Sequence, residues 1–279
     1  MQIDLIIKIG GSCLSKKALL YTALRTQHPE DIKQALQLNV NTIDDIAGEI
    51  SELIHERPKM IILTGVGSPG HYTVLKYNLH TGTDGTLRQR VGFLEAQIAV
   101  NRLRQTFLEA LLRHGVPAIQ LYASSMYQSS DRRVVHGNVN NLSSFLDVGM
   151  IPVISGDMVP DKSLGYSVLS GDQILYDLTK HFQPKTVVFG SDVNGVFTAD
   201  PKVDPNAELL PEISRNSLDR LIKEEFGKDD ASGQMRGKLI EIRHLLEAGF
   251  HEILLLNLTV KGNLTQIIRD GHGVFTRFT

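Results

Sequence analysis

Residues 3–9 read Ile-Asp-Leu-Ile-Ile-Lys-Ile, an apolar run broken only by Asp4 and Lys8, and the run stops at Gly10-Gly11-Ser12. A short apolar run bounded by glycines predicts a strand buried on both faces, the kind found in parallel sheets. Two consecutive glycines let the backbone take positive φ and bring its N–H groups close to a ligand. Such N–H groups form a concavity suited to phosphate oxygens. Lys8 at the strand end and Lys17 beyond the loop add two positive charges to the same mouth. A strand, an ordinary turn and two solvated lysines would fit the same residues, so the rest of the chain has to decide.

The motif recurs in kind. Met60 to Leu63 is a second short apolar run, and it also enters glycines, Thr64-Gly65-Val66-Gly67-Ser68-Pro69-Gly70-His71. Two strand-then-glycine units are the pattern of an open parallel sheet, whose ligands sit outside the carboxyl ends of the strands. Two such loops in one sheet suit two phosphate-bearing ligands facing each other. Further strands are expected over 116–121, 151–154, 186–189 and 252–256, and a final edge strand over 274–278. Helices are expected over 41–55, 86–114, 139–148, 172–182, 214–226, 235–248 and 264–268, with a loop over 228–233. Residues 158–167 read as a hairpin built on Asp161 to Gly165, and Tyr21 to Val40 reads as a polar, irregular and mobile excursion over the site. The alternation of elements predicts the doubly wound α/β class, a three-layer sandwich around a mainly parallel open sheet. No repeat or apolar-poor linker divides the 279 residues, so they read as a single domain of two fused lobes, 1–168 and 169–279.

Composition narrows the function classes. A net charge of −2 gives no support for binding nucleic acid or an anionic membrane. Cys13 is the only cysteine, which excludes an internal disulfide and suits a reducing compartment. The N-terminus carries no basic region with an apolar stretch and cleavage site, and no run approaches membrane-spanning length, so a cytoplasmic protein is expected. The remaining histidines show no metal-ligand spacing, and no acidic cluster is specific enough to name as a metal site.

Taken together, the motifs resemble those of the amino-acid-kinase superfamily, and within it isopentenyl phosphate kinases. Lys8-Ile-Gly-Gly-Ser12 resembles the opening Lys-x-Gly-Gly-Ser of that family, with Lys17 at its second lysine. Gly65 to His71 resembles its Gly-x-Gly-Ser-x-Gly-His loop, while 152–157 and 167–172 resemble its two Gly-Asp turns. Ser191 to Phe197 is similar to its nucleotide loop, and Asp230 to Lys238 to its Asp-Val-Thr-Gly-Gly-Met-x-x-Lys segment. Five motifs in order carry far more than any one. Thr64, Pro69, Asn194 and Gln234 depart from the family pattern.

The resemblance implies an ATP-dependent kinase that converts isopentenyl phosphate to its diphosphate, with Mg2+ accompanying ATP and two copies forming a homodimer. It implies that Lys8 and Lys238 hold the ATP phosphates, and that Lys17 stabilises charge on the transferred group. Ile9, Gly10, Gly11, Ser12, Gly67, Asp192, Phe197 and Gln234 would complete the ATP site. His71 would hold the acceptor phosphate, beside Val66, Gly70 and Gly171. The acceptor lobe would be 1–168 and the nucleotide lobe 169–279. An acceptor that is already ionised needs no general base, which fits lysines, loop N–H groups and one histidine. Val91, Phe93, Leu94 and Ile98 are candidates to line a hydrocarbon tail, although core packing explains them equally well. Two other functions remain open: a kinase of another small phosphate or phosphonate such as fosfomycin, and a nucleotide-binding sensor or storage subunit without turnover.

Overall fold

The computed structural model describes residues 1–201, 203–224 and 234–279. Strand β1 (Gln2–Ile9) turns through α1 (Gly11–Leu14) into α2 (Leu20–Thr26), α3 (Pro29–Ala35) and α4 (Val40–Leu53). Next come β2 (Met60–Thr64), α5 (Gly67–Lys76), the long α6 (Leu87–Arg113) and β3 (Ala118–Leu121). The middle of the chain holds α7 (Ala123–Met126), β4 (Tyr127–Ser130), β5 (Arg133–Gly137), α8 (Asn140–Asp147), β6 (Ile151–Ser155), β7 (Asp157–Asp161), β8 (Gly165–Leu169) and α9 (Gly171–Thr179). The chain ends with β9 (Gln183–Ser191), β10 (Val196–Phe197), β11 (Leu209–Leu210), β12 (Glu212–Ile213), α10 (Arg215–Glu224), α11 (Gln234–Glu247), β13 (Ile253–Asn257), α12 (Asn263–Asp270) and β14 (Phe275–Phe278).

Eight strands form one sheet in the order β12-β14-β13-β9-β1-β2-β6-β3. From β13 to β3 every pairing is parallel, and β14 runs antiparallel to β13. Every residue of β2, β6 and β13 is buried, as a parallel sheet covered on both faces requires. Along β2 the faces alternate: Ile61 and Leu63 join a core with Ile174, Leu218 and Leu239, whereas Met60 and Ile62 join one with Ile46, Phe107 and Leu264. The expected three-layer α/β sandwich is therefore the observed fold. The sheet order reverses at β1, which lies between β9 and β2, so the carboxyl ends of these strands open onto the crevice where ligands of such sheets bind.

Two local expectations differ from the structure, and a third falls outside the residues it describes. The excursion over 21–40 is helical rather than irregular. Leu20, Ala23 and Ala35 are buried, and Ser68 Oγ donates to the Ala35 carbonyl. Its two short helices, with Pro29 at the start of the second, give too brief an apolar period to be read locally. The final strand β14 is not at the sheet edge, because the two-residue β12 pairs outside it. The loop expected over 228–233 lies outside the described residues.

A second sheet, in the order β5-β4-β7-β8, was not announced by any glycine or asparagine at its first turn. Asp131 and Arg132 take φ of 47° and 65° there, the left-handed pair of a tight hairpin. Asp161, at the end of β7, holds them: its carboxylate accepts the N–H groups of Asp131 at 3.1 Å and Arg132 at 2.9 Å, those of Ser163 and Leu164, and the Ser129 hydroxyl. Burial raises the Asp161 pKa, but these hydrogen bonds outweigh it and hold the carboxyl well below its usual range.

Asp161→Asn should therefore lower stability at pH 7 by about 2 kcal/mol, since the amide cannot accept all these donors. A depressed folded-state pKa contributes stability above the unfolded value of roughly 3.9 and loses it as pH falls below. The gap in melting temperature between wild type and variant should thus narrow below about pH 4 in thermal scans; a gap independent of pH would remove the ionised carboxylate from this role.

Candidate active site

At the carboxyl ends of β1, β2 and β9 lies a cleft of about 1200 Å3. Its floor is the meeting of the two glycine loops. Gly10 and Gly11 do not use positive φ, as their pairing alone suggests; they serve close approach. A Cβ on Gly10 would stand 2.7 Å from the Gly190 carbonyl oxygen, one on Gly11 2.8 Å from the Gly67 nitrogen, and one on Gly65 2.6 Å from the Gly11 nitrogen. Gly67 alone in these loops needs the left-handed region, with φ +60°. The second loop is largely the first turn of α5, so His71 sits on a helix rather than at a loop's end.

The amino termini of α1, α5 and α9 converge on this floor. The positive ends of their dipoles favour an anionic ligand there. Ser170 caps α9 by accepting the Gln173 N–H at 3.2 Å. This places Asp172 in the helix's first turn, where its carboxylate pairs with Lys8 Nζ at 2.7 Å. Lys8 is 7% exposed, and this ion pair makes so buried a cation tenable in the central strand.

Lys17 and Lys238 complete a trio of cations. Lys238, on α11, is buried and donates to Ser191 Oγ at 3.3 Å. Burial and then the charge of Lys8 lower its pKa to about 8. Lys17 is lowered to about 7 by burial, then by Lys8 and Lys238. His71 falls to about 3, again by burial first and then by Lys17 and Lys8, so its imidazole is neutral near pH 7 and presents one N–H donor. Cys13, beside the trio, is buried, which pushes its thiol up to about 12 and keeps it inert.

Of the residues picked out by sequence, Lys8, Gly10, Gly11, Ser12, Lys17, Val66, His71, Gly171, Asp192, Phe197 and Lys238 line this one cleft. Ile9, Gly67 and Gly70 do not. Ile9 is buried in the core, Gly67 packs on Ser15 and Leu103, and Gly70 on Val66 and Val100. Gln234 begins α11, and its side chain lies outside the described residues. Sequence reasoning gave no role to Asp172, although its Gly-Asp turn was visible, nor to Tyr21, Arg133 and Glu241. These last three line the cleft, with Arg133 Nη1 paired to Glu241 at 3.1 Å between β5 and α11. No local pattern marks them. The Thr64 departure is absorbed by β6, where Thr64 Oγ1 and Ser155 Oγ share a 2.6 Å hydrogen bond.

Of the four residues singled out for a hydrocarbon tail, one turns inward. Val91, Leu94 and Ile98 point out to solvent, so neither the tail nor the core holds them. Phe93 turns inward, stacking edge-on against Tyr166 at 5.3 Å. The two pack with Val74, Tyr77, Leu79, Ala96, Met158 and Val168 in a small apolar cluster. Val168 also lines the cleft, so the cluster adjoins it. Among the described residues, no group of three or more His, Cys, Asp or Glu side chains is placed to hold a metal ion, and no helix is long and apolar enough to cross a membrane.

The chain matches the amino acid kinase family over residues 5–257. It is 31% identical to the isopentenyl phosphate kinase of Methanothermobacter thermautotrophicus, over 99% of this chain and 98% of that protein. It is 26% identical to the isopentenyl phosphate kinase of Methanocaldococcus jannaschii, over 88% of each. A crystallographic isopentenyl phosphate kinase structure superposes with a TM-score of 0.80 at 28% identity, covering both chains completely. The chain belongs to the amino acid kinase family and groups there with the isopentenyl phosphate kinases.

Proposed function

We propose that this protein transfers the γ-phosphoryl group of ATP to isopentenyl phosphate, forming isopentenyl diphosphate and ADP. The observation that carries the proposal is the convergence of Lys8, Lys17, Lys238 and a neutral His71 on one cleft between two glycine loops. Cations that depress one another's pKa are relieved by a polyanion, and two phosphate-bearing ligands supply one. Lys8 and Lys238 would hold the ATP phosphates over Gly10, Gly11 and Ser12, with Asp192 and Phe197 toward the nucleoside. Lys17 would meet the group in flight, and Val66, His71 and Gly171 would hold the acceptor phosphate. The nucleoside would thus lie with 169–279 and the acceptor mainly with 1–168, while Lys8, Gly10, Gly11 and Ser12 of the first lobe and Gly171 of the second reach across the boundary. Mg2+ would arrive with ATP and supply charge neutralisation at its phosphates, since no group of three or more His, Cys, Asp or Glu among the described residues is placed to hold it.

The isoprenoid reading over a phosphonate rests on the apolar cluster. Val74 lies one turn beyond His71 on α5 and belongs to that cluster, so a phosphate at His71 would direct a short hydrocarbon tail toward Val168, Phe93 and Tyr166. Turnover with ATP against isopentenyl phosphate, dimethylallyl phosphate, fosfomycin and UMP is the deciding measurement. A preference for fosfomycin or UMP would overturn the acceptor, and no turnover with any of them would favour a sensor.

Lys17→Ala should lower kcat by roughly 100-fold while leaving ATP affinity nearly unchanged, because its charge acts mainly in the transition state. Free Lys17, with a pKa of about 7, is mostly neutral at pH 8. Phosphate oxygens favour its charged form, so adding the acceptor to enzyme already loaded with a non-transferring ATP analogue at pH 8 should take up protons, and fewer at pH 6 where the amine is already charged. Calorimetry in buffers of different ionisation enthalpy measures this, and Lys17→Ala should remove the larger part of the uptake.

A hydrogen bond from His71 to a phosphate dianion contributes about 1.5–3 kcal/mol. His71→Ala should raise the acceptor KM by roughly ten- to a hundred-fold, or lower kcat if the bond tightens in the transition state. His71→Gln, which keeps a donor, should lose less. Wild-type kinetics in His71→Ala would remove the acceptor-site assignment.

A homodimer is proposed from α6. Leu87, Val91, Leu94 and Ile98 are spaced 4, 3 and 4 residues apart and lie exposed along one stripe of a 27-residue helix. Such spacing suits a helix packed against its copy. Sedimentation should give a dimer for wild type and a monomer for Leu94→Glu.

A further inference from the structure

The two glycine loops touch through their backbones, and a single buried hydroxyl ties one to the other. Ser15 is 1% exposed. Its Oγ donates to the Gly11 carbonyl at 3.0 Å, in the first loop, and accepts the Ser68 N–H at 2.7 Å, in the second. The fit is close: a Cβ on Gly67 would stand 2.6 Å from this oxygen. The Ser15 carbonyl meanwhile accepts the Lys17 N–H at 2.7 Å, and so starts the turn that carries Lys17 to the cleft. One residue is thereby bonded to the loop under the donor phosphates, to the loop under the acceptor phosphate, and to the segment bearing the cation between them.

We propose that Ser15 is a positioning residue that sets the separation of the two phosphate-holding loops and the place of Lys17, an inference that rests on the kinase reading above. In-line transfer between two bound phosphates depends on their alignment, and a displacement of about 1 Å can cost roughly 100-fold in rate. Ser15 itself does not line the cleft, so it would touch neither substrate bound there. Its loss should therefore appear in the transfer step and not in the binding of either ligand. Removing the hydroxyl leaves the Ser68 N–H buried without its acceptor, so the second loop would shift to find another.

The test uses the full chain, with single-turnover transfer from ATP to isopentenyl phosphate, KM for each substrate and thermal melting. Ser15→Ala should slow transfer by roughly 10- to 100-fold, with both KM values within about threefold of wild type. Ser15→Cys, whose thiol is larger than the hydroxyl but still a weak donor and acceptor, should recover part of the rate. If the alanine variant does not fold, the cysteine variant decides alone: slowed transfer with near-normal KM supports the role, and wild-type transfer overturns it. Loss expressed only as weaker binding of one substrate, with saturated transfer intact, also overturns it. A wild-type protein that transfers nothing to isopentenyl phosphate sinks the parent reading and this inference together, whereas an active wild type with unaffected variants sinks only the inference.

Discussion

The backbone contact between the loops after β1 and β2 is the constraint on which the rest of the structure depends. At Gly10, Gly11 and Gly65 a Cβ would meet another backbone at 2.6–2.8 Å. No other residue type permits that approach. Because the loops meet, the helices that follow them start side by side, and the positive ends of their dipoles lie toward one space. The parallel sheet makes this possible: β1 and β2 are neighbours in register, Ile9 opposite Thr64, and so end at the same level. Side chains of the trio and His71 then reach the space from four different elements.

Gathering three lysines in a half-dry cleft is unfavourable in isolation. Lys8 is paired with Asp172 at 2.7 Å, and Lys17 and Lys238 respond to burial and to the neighbouring cations by giving up protons more readily. Folding must tolerate that electrostatic cost, and an anionic ligand is what removes it. Under the proposed function such a site would bind polyanions and stabilise charge on a phosphoryl group in transit, because its cations are already placed and need little reorganisation. The neutral His71 fits the same scheme. It contributes a directional N–H without adding a fourth positive charge.

Much of the site could be read from residues alone, because glycine and lysine at strand ends have few other uses. The strand-to-glycine transitions at Ile9–Gly10 and Thr64–Gly65 marked the cleft, and eleven of the singled-out residues line it. What could not be read was burial direction. Val91, Leu94 and Ile98 look like Phe93 in sequence, yet only Phe93 turns inward, since α6 offers one stripe to the protein and another to solvent. Arg133 and Glu241 are ordinary surface residues by pattern, and 108 positions separate them in the chain.

The sequence by itself determined the alternation of strands and helices, the two glycine loops and the cationic chemistry, since each depends on local periodicity or on a residue type with special stereochemistry. Only the tertiary structure decided which groups meet. The β4–β5 hairpin turns without glycine because a carboxylate 30 residues away holds its N–H groups. Ser15 and Ser68, 53 residues apart, join two loops because neighbouring strands end at one level. The pKa values of Lys17 and His71 likewise come from burial and from charges on other elements. Contacts between distant segments depend on packing, and no window of local sequence contains them.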